Sequence, residues 1–129
     1  MTSPLPATLT NAAATDLSAA LCDRQISARE LMQAVLDRID ATNPTINAIV
    51  TLRPRDALLA EAEAMDAAPH PGPLAGLPIA VKDLVATKDM RTTYGSPVFA
   101  DHVPAKDDLV AARLRAAGAI LIGKTNTPE

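Results

Sequence analysis

Aromatic residues are nearly missing from this 129-residue chain, which has one Phe, one Tyr and no Trp. It also has no cluster of Lys or Arg, its 12 basic side chains being outnumbered by 15 acidic ones for a net charge of −3. Without a basic patch or stacking platforms it lacks both features of a nucleic-acid-binding surface. The single Cys22 excludes an internal disulfide and a cysteine-based metal site, and fits a reducing, cytoplasmic setting. No stretch reaches the roughly 18 consecutive apolar residues of a membrane span. Met1 to Ala20 carries no basic residue and no continuous apolar run, so it reads as neither a signal nor a transit peptide.

What is present is mostly alanine, with 26 such residues against 30 Leu, Ile, Val and Phe together. Those 30 are about 23% of the chain, just above the ~20% that marks disordered compositions. The expectation is one domain with a shallow aliphatic core, weak when standing alone.

Residues 1–14, with Pro4 and Pro6, read as a flexible lead-in, and 15–68 as a helical N-terminal part. Within it Asp16 to Asp23 is a short helical candidate. Ser27 and Glu30 have the spacing of a capping box, followed by Leu31, Met32, Val35, Leu36 and Ile39 on one helical stripe. Thr42, Asn43 and Pro44 are expected to end that helix. Ile46 to Leu52 is a short β-rich run, and Pro54 is placed to open the first turn of another helix. Pro69 to Pro73 forms a Pro-rich linker, with the start of an α/β core over 74–129. There Ile79 to Val85 predicts a strand, Asp107 to Ala117 a helix capped by Gly118, and Ala119 to Ile122 a second strand. Strand, helix, strand suggests a parallel crossover unit, with both strands short of neighbours and the sheet incomplete.

Lys82 is the residue with most chemistry in prospect. A lysine inside an apolar run is partly desolvated, and burial disfavours the ammonium form as a general base near neutral pH requires. If the strand instead lies at an edge, Lys82 reaches water and Asp83 is a surface charge. Gly118 to Thr125 satisfies the formula GxxxxGK[ST], but a helix precedes it and an apolar β-run fills the gap where a phosphate cradle needs a flexible loop. That context argues against nucleotide binding. His70 and His102 read as solvated loop histidines and Ser96 as a turn residue. Asp107 and Asp108 read as a helix N-terminal cap, and Cys22 as packing.

The runs PLAGLPIAVKDLVATKDMRTTYGSP (73–97) and DDLVAARLRAAGAILIGKTNTPE (107–129), with the helical lead SARELMQAVLDRIDATNPTINAIV (27–50), resemble the N-terminal portion of the amidase signature family. The resemblance implies an α/β/α sandwich and hydrolysis of a carboxamide to acid and ammonia by a Ser, cis-Ser, Lys triad, with Lys82 as the family lysine. It implies no cofactor and no metal. As partners it implies a small-molecule amide, with a homodimer of the full-length enzyme or, among the amidotransferase relatives, other subunits. Both family serines belong to a Gly- and Ser-rich segment beyond the KTN turn, whereas Ser3, Ser18, Ser27 and Ser96 stand apart here. The sequence therefore reads as an amidase fragment, inactive alone. The alternatives are the glutaminase subunit of a tRNA-dependent amidotransferase, or a non-catalytic binding or assembly module docking through its open strands. Roles for Ser96, Thr125 and Asn126 are left open by the sequence.

Overall fold

A computed structural model describes residues 8–69 and 71–128. The first seven residues of the lead-in, with Ser3, and His70 in the linker lie outside them. After a short 3-10 turn, helix α1 spans Ala14–Cys22 and α2 spans Ala28–Ile46. The start of α2 satisfies its free amides from two sources. Glu30 N–H donates to Ser27 Oγ at 2.9 Å and Ser27 N–H donates to Glu30 Oε2 at 2.8 Å, the reciprocal capping box. Ala28 N–H and Arg29 N–H donate to the two oxygens of Asp66, at 2.7 and 3.1 Å.

Helix α2 does not stop before Pro44 as the sequence suggested, but runs through it to Ile46. Proline in a last turn costs one donated hydrogen bond, and the turn is secured otherwise. Asn47 takes a left-handed conformation (φ 50) and donates its N–H to the Asn43 carbonyl at 2.7 Å. The Asn43 side chain then brackets Ile49, accepting its N–H at 2.8 Å and donating to its carbonyl at 3.0 Å.

Strand β1 (Ile49–Leu52) follows, then α3 (Arg55–Ala67), with Pro54 at the N-cap, one position before the expected first turn. Beyond the Pro-rich stretch come β2 (Pro78–Lys82), α4 (Leu109–Ala116) and β3 (Ile120–Thr125). The second of these strands is shorter and the third longer than the apolar runs implied. After Lys82 the chain turns, with Val85 N–H donating to the Lys82 carbonyl at 2.9 Å. The sheet has the order β1-β3-β2, parallel between β2 and β3 and antiparallel between β1 and β3. The neighbour that the sequence did not supply for β3 is β1, from the mainly helical segment.

Helices cover both faces, giving a mixed α/β fold. Ile120 and Ile122 of β3 pack with Met32, Leu36, Leu58 and Ala62 from α2 and α3. Leu121 points the other way, to Val81, Met90 and Ala111 of α4. Gly118, at φ 93, closes α4 as expected. Its N–H donates to the Arg115 carbonyl at 2.9 Å and that of Ala119 to Leu114 at 3.1 Å, the paired bonds of a Schellman turn.

The register between β2 and β3 slips after Ile79↔Leu121, so that Ala80 faces Gly123 and Val81 faces Lys124. The extra residue in β3 is a bulge, and it moves everything beyond it to the opposite face. Gly123 lies against β1 so tightly that a Cβ there would overlap the Thr51 carbonyl oxygen. Two stability effects follow. Ser27→Ala is expected to cost about 1 kcal/mol, and Gly123→Ala about 1–3 kcal/mol through overpacking. Urea unfolding checks both, with a Gly123→Ala midpoint equal to wild type contradicting the close approach of β1.

Candidate functional site

The carboxyl end of β2 carries Lys82, and of its two readings the structure has the exposed one. Strand alternation turns Val81 and Asp83 inward, at 5% and 2% exposure, and leaves Lys82 exposed. Because β2 is the edge of the sheet, nothing among the described residues covers that side chain or bonds its ammonium. The edge-strand reading of Lys82 describes this arrangement. Its counterpart for Asp83 does not, since Asp83 is buried.

The Asp83 carboxylate accepts the Thr93 N–H at 3.1 Å and the Thr93 hydroxyl. Its backbone N–H donates to the Thr125 carbonyl at 3.0 Å, and its carbonyl accepts the Tyr94 N–H at 3.0 Å. The residue next to Lys82 is therefore fixed on every polar atom. Thr125 is the register partner of Lys82 across the parallel pair.

A second lysine, not singled out by the sequence, is the largest fully buried side chain among the described residues. Lys124 has 0% exposure. The β3 bulge explains this: simple alternation would set Lys124 with Ile120 and Ile122, whereas the extra residue turns it to the face of Val81. Its Nζ donates to Thr87 Oγ1 at 2.8 Å, to Thr92 Oγ1 at 3.0 Å and to the Val85 carbonyl. Burial pushes its pKa below the usual lysine value, opposed by the negative charges of Asp83, Asp108 and Asp107. The signal present in the sequence is the Gly123-Lys124 pair at the end of an apolar run.

Asp107 and Asp108 do not cap helix amides with their side chains. They reach across to the connection after β2, Asp108 accepting the Ala86 N–H at 2.8 Å and Asp107 the Lys88 N–H at 2.7 Å. Arg115 donates to Asp107 at 3.0 Å. Ser96 caps the short turn Pro97–Phe99, accepting the Val98 N–H at 3.3 Å, in keeping with a turn role. His102 is exposed and lies beside the Tyr94 and Phe99 rings, its ring centroid 5.9 Å from each, tilted to the first and edge-on to the second. Asn126 donates to the Asn47 carbonyl at 3.3 Å. Cys22, expected in packing, is exposed. Among the described residues no group of three or more His, Cys, Asp or Glu side chains is placed to hold a metal ion, and no helix is long and apolar enough to cross a membrane.

Most of this α/β frame, with a lysine at the carboxyl end of an edge strand, lies within a stretch that matches the amidase family over residues 30–129, and the chain belongs to that family. A glutamyl-tRNA(Gln) amidotransferase subunit from Azoarcus sp. (strain BH72) is 46% identical over 122 residues, covering 92% of this chain and 25% of that protein. The acylamidase of Rhodococcus erythropolis is 39% identical over 119 residues, covering 90% and 25%. Among solved structures, native peptide amidase from Stenotrophomonas maltophilia superposes with a TM-score of 0.81 at 35% identity, covering 95% of this chain and 26% of that one. The chain thus spans about a quarter of the length of the relatives it matches.

The buried lysine gives a pH dependence of definite sign. Its pKa is lowered from 10.5 on folding, so between its folded value and 10.5 the unfolded chain holds a proton that the folded chain has lost. Stability contributed by this group therefore rises as pH rises through the window, and below it the cost of burying the charge is fully present. Urea midpoints measured from neutrality towards pH 10.5 are expected to rise in wild type relative to Lys124→Met. Parallel pH curves for the two would contradict a titrating buried Lys124.

Proposed function

We propose that the whole protein to which these 129 residues belong hydrolyses a carboxamide to the carboxylic acid and ammonia, with Lys82 as the base. The family match across residues 30–129, which contains Lys82, carries this reading. In the Ser, cis-Ser, Lys scheme implied by the family resemblance, neutral Lys82 takes a proton from the bridging serine as that serine takes one from the nucleophile. The nucleophilic oxygen bonds to the amide carbon, the C–N bond breaks, and the returned proton leaves with the amine. Water then cleaves the acyl-enzyme ester and restores the serine. These 129 residues supply the base and no Ser- and Gly-rich segment, so on their own they do not turn over. The proposed setting is the cytoplasm, and the proposed partner is a small-molecule amide, with a homodimer as the working assembly.

A second reading is supported by the 46% identity to an amidotransferase subunit: the amide is glutamine, and the ammonia passes to a site formed with other subunits. Glutamine hydrolysis against hydrolysis of other small carboxamides separates the two. In the whole protein, Lys82→Ala is expected to lower kcat/KM by about 10²–10⁴-fold or more, with no ammonia released by the 129-residue chain alone. Near wild-type turnover in Lys82→Ala removes Lys82 as the base, and turnover by the 129 residues alone removes the need for downstream serines.

A further inference from the structure

The connection that leaves Lys82 is tied back to the strand it leaves. Val85 stands at the centre of this tie, its N–H donating to the Lys82 carbonyl at 2.9 Å while its own carbonyl accepts from Lys124 Nζ. Hydrogen bookkeeping around that lysine favours the ammonium. The Thr87 hydroxyl gives its hydrogen to the Val85 carbonyl and the Thr92 hydroxyl gives its own to the Met90 carbonyl, each at 3.0 Å. Both hydroxyls therefore meet Nζ as acceptors. With the Val85 carbonyl they make three acceptors around one nitrogen, and only an ammonium carries three N–H donors. A neutral amine would turn a lone pair towards one of them, or require a threonine hydroxyl to leave its backbone carbonyl and donate to it.

The charged groups felt by this ammonium are Asp83 at the end of β2 and Asp107 and Asp108 before α4, all negative. Lys82, one register position away, belongs to the opposite side of the sheet, since Val81 rather than Lys82 pairs with Lys124. Having 0% exposure, Lys124 cannot itself meet a substrate.

We infer that Lys124 is a positioning residue for Lys82: as a buried ammonium it fixes the Val85 carbonyl, and through the Val85 N–H the end of β2 that presents Lys82. This inference rests on Lys82 being the base, but its first tests do not involve hydrolysis. In the 129-residue chain, proton–nitrogen spectra are expected to show one lysine NH₃⁺ signal protected from water exchange at neutral pH and lost in Lys124→Met. Amide exchange at Val85 and Tyr94 is expected to rise at least about tenfold in Lys124→Met and in Thr87→Val, with Leu36 and Ala62 unchanged. Thr87→Val, which keeps the side-chain shape, decides the matter should Lys124→Met fail to fold. The inference is overturned if wild type shows no protected ammonium, if Val85 and Tyr94 are unmoved in Thr87→Val, or if Leu36 and Ala62 loosen equally.

In the whole enzyme Lys124→Met is expected to lower kcat at least about tenfold per titrated active site, with KM within about threefold. An unchanged kcat also overturns the inference. Retained turnover in Lys82→Ala would sink the base assignment instead, and leaves the exchange results to stand or fall separately.

Discussion

Burying the Lys124 ammonium constrains the architecture more than any other single interaction. A cation removed from water must find acceptors for all its protons and negative charge nearby, or it destabilises the fold by several kcal/mol. Here that requirement selects Thr87 and Thr92 in the connection after β2, and Asp83 at its start. The same requirement needs the β3 bulge, which turns residue 124 away from the aliphatic face formed by Ile120 and Ile122. A polar cluster with so many shared partners does not tolerate sliding, and its value lies in specifying one arrangement of the connection.

Strand β3 passes that specification to the rest of the chain. It is the central strand, flanked by β1 and β2 and covered by helices on both faces. The segment between the Pro-rich stretch and β2 is tied to the end of α4 as well. Leu74 N–H donates to the Ala117 carbonyl at 2.9 Å and Gly76 N–H to the Gly118 carbonyl at 3.1 Å. The approaches to β2 and β3 are thus pinned at one end of the sheet, while Asp83 N–H and the Thr125 carbonyl pin the other. Lys82 is presented from a strand fixed at both ends.

Local chemistry was legible in the sequence wherever it acts over a few residues. The Ser27–Glu30 box, the Gly118 cap and the apolar stripe of α2 were readable because capping and periodicity are short-range. Helix α2 outran Pro44 because Asn47 closes the last turn onto the Asn43 carbonyl and the Asn43 side chain bonds Ile49, contacts that spacing does not encode. The pairing of β1 with β3, some 70 positions apart, has no local signature either, and with it went the reason for Gly123. Lys82 was legible as a candidate, but its exposure follows from being on an edge strand. Lys124 was not legible, because a one-residue bulge reverses the face that simple alternation assigns.

On the reading of Lys82 as the base, the two lysines divide one problem. A general base must be neutral to accept a proton, and an amine reaches that state most readily when water is excluded or positive charge is close. Lys124 sits where water is excluded and its hydrogen bonds favour the charged form, whereas Lys82 lies at an edge that β3 covers on one side only. The amine that is buried is therefore committed to holding structure, and the one left for chemistry depends on whatever completes the surface beside β2. In relatives roughly four times as long, there is ample chain to do so. Precision in the backbone under Lys82 then matters more than its own surroundings in these 129 residues, because a covering segment can desolvate only an amine that is already held in a fixed place.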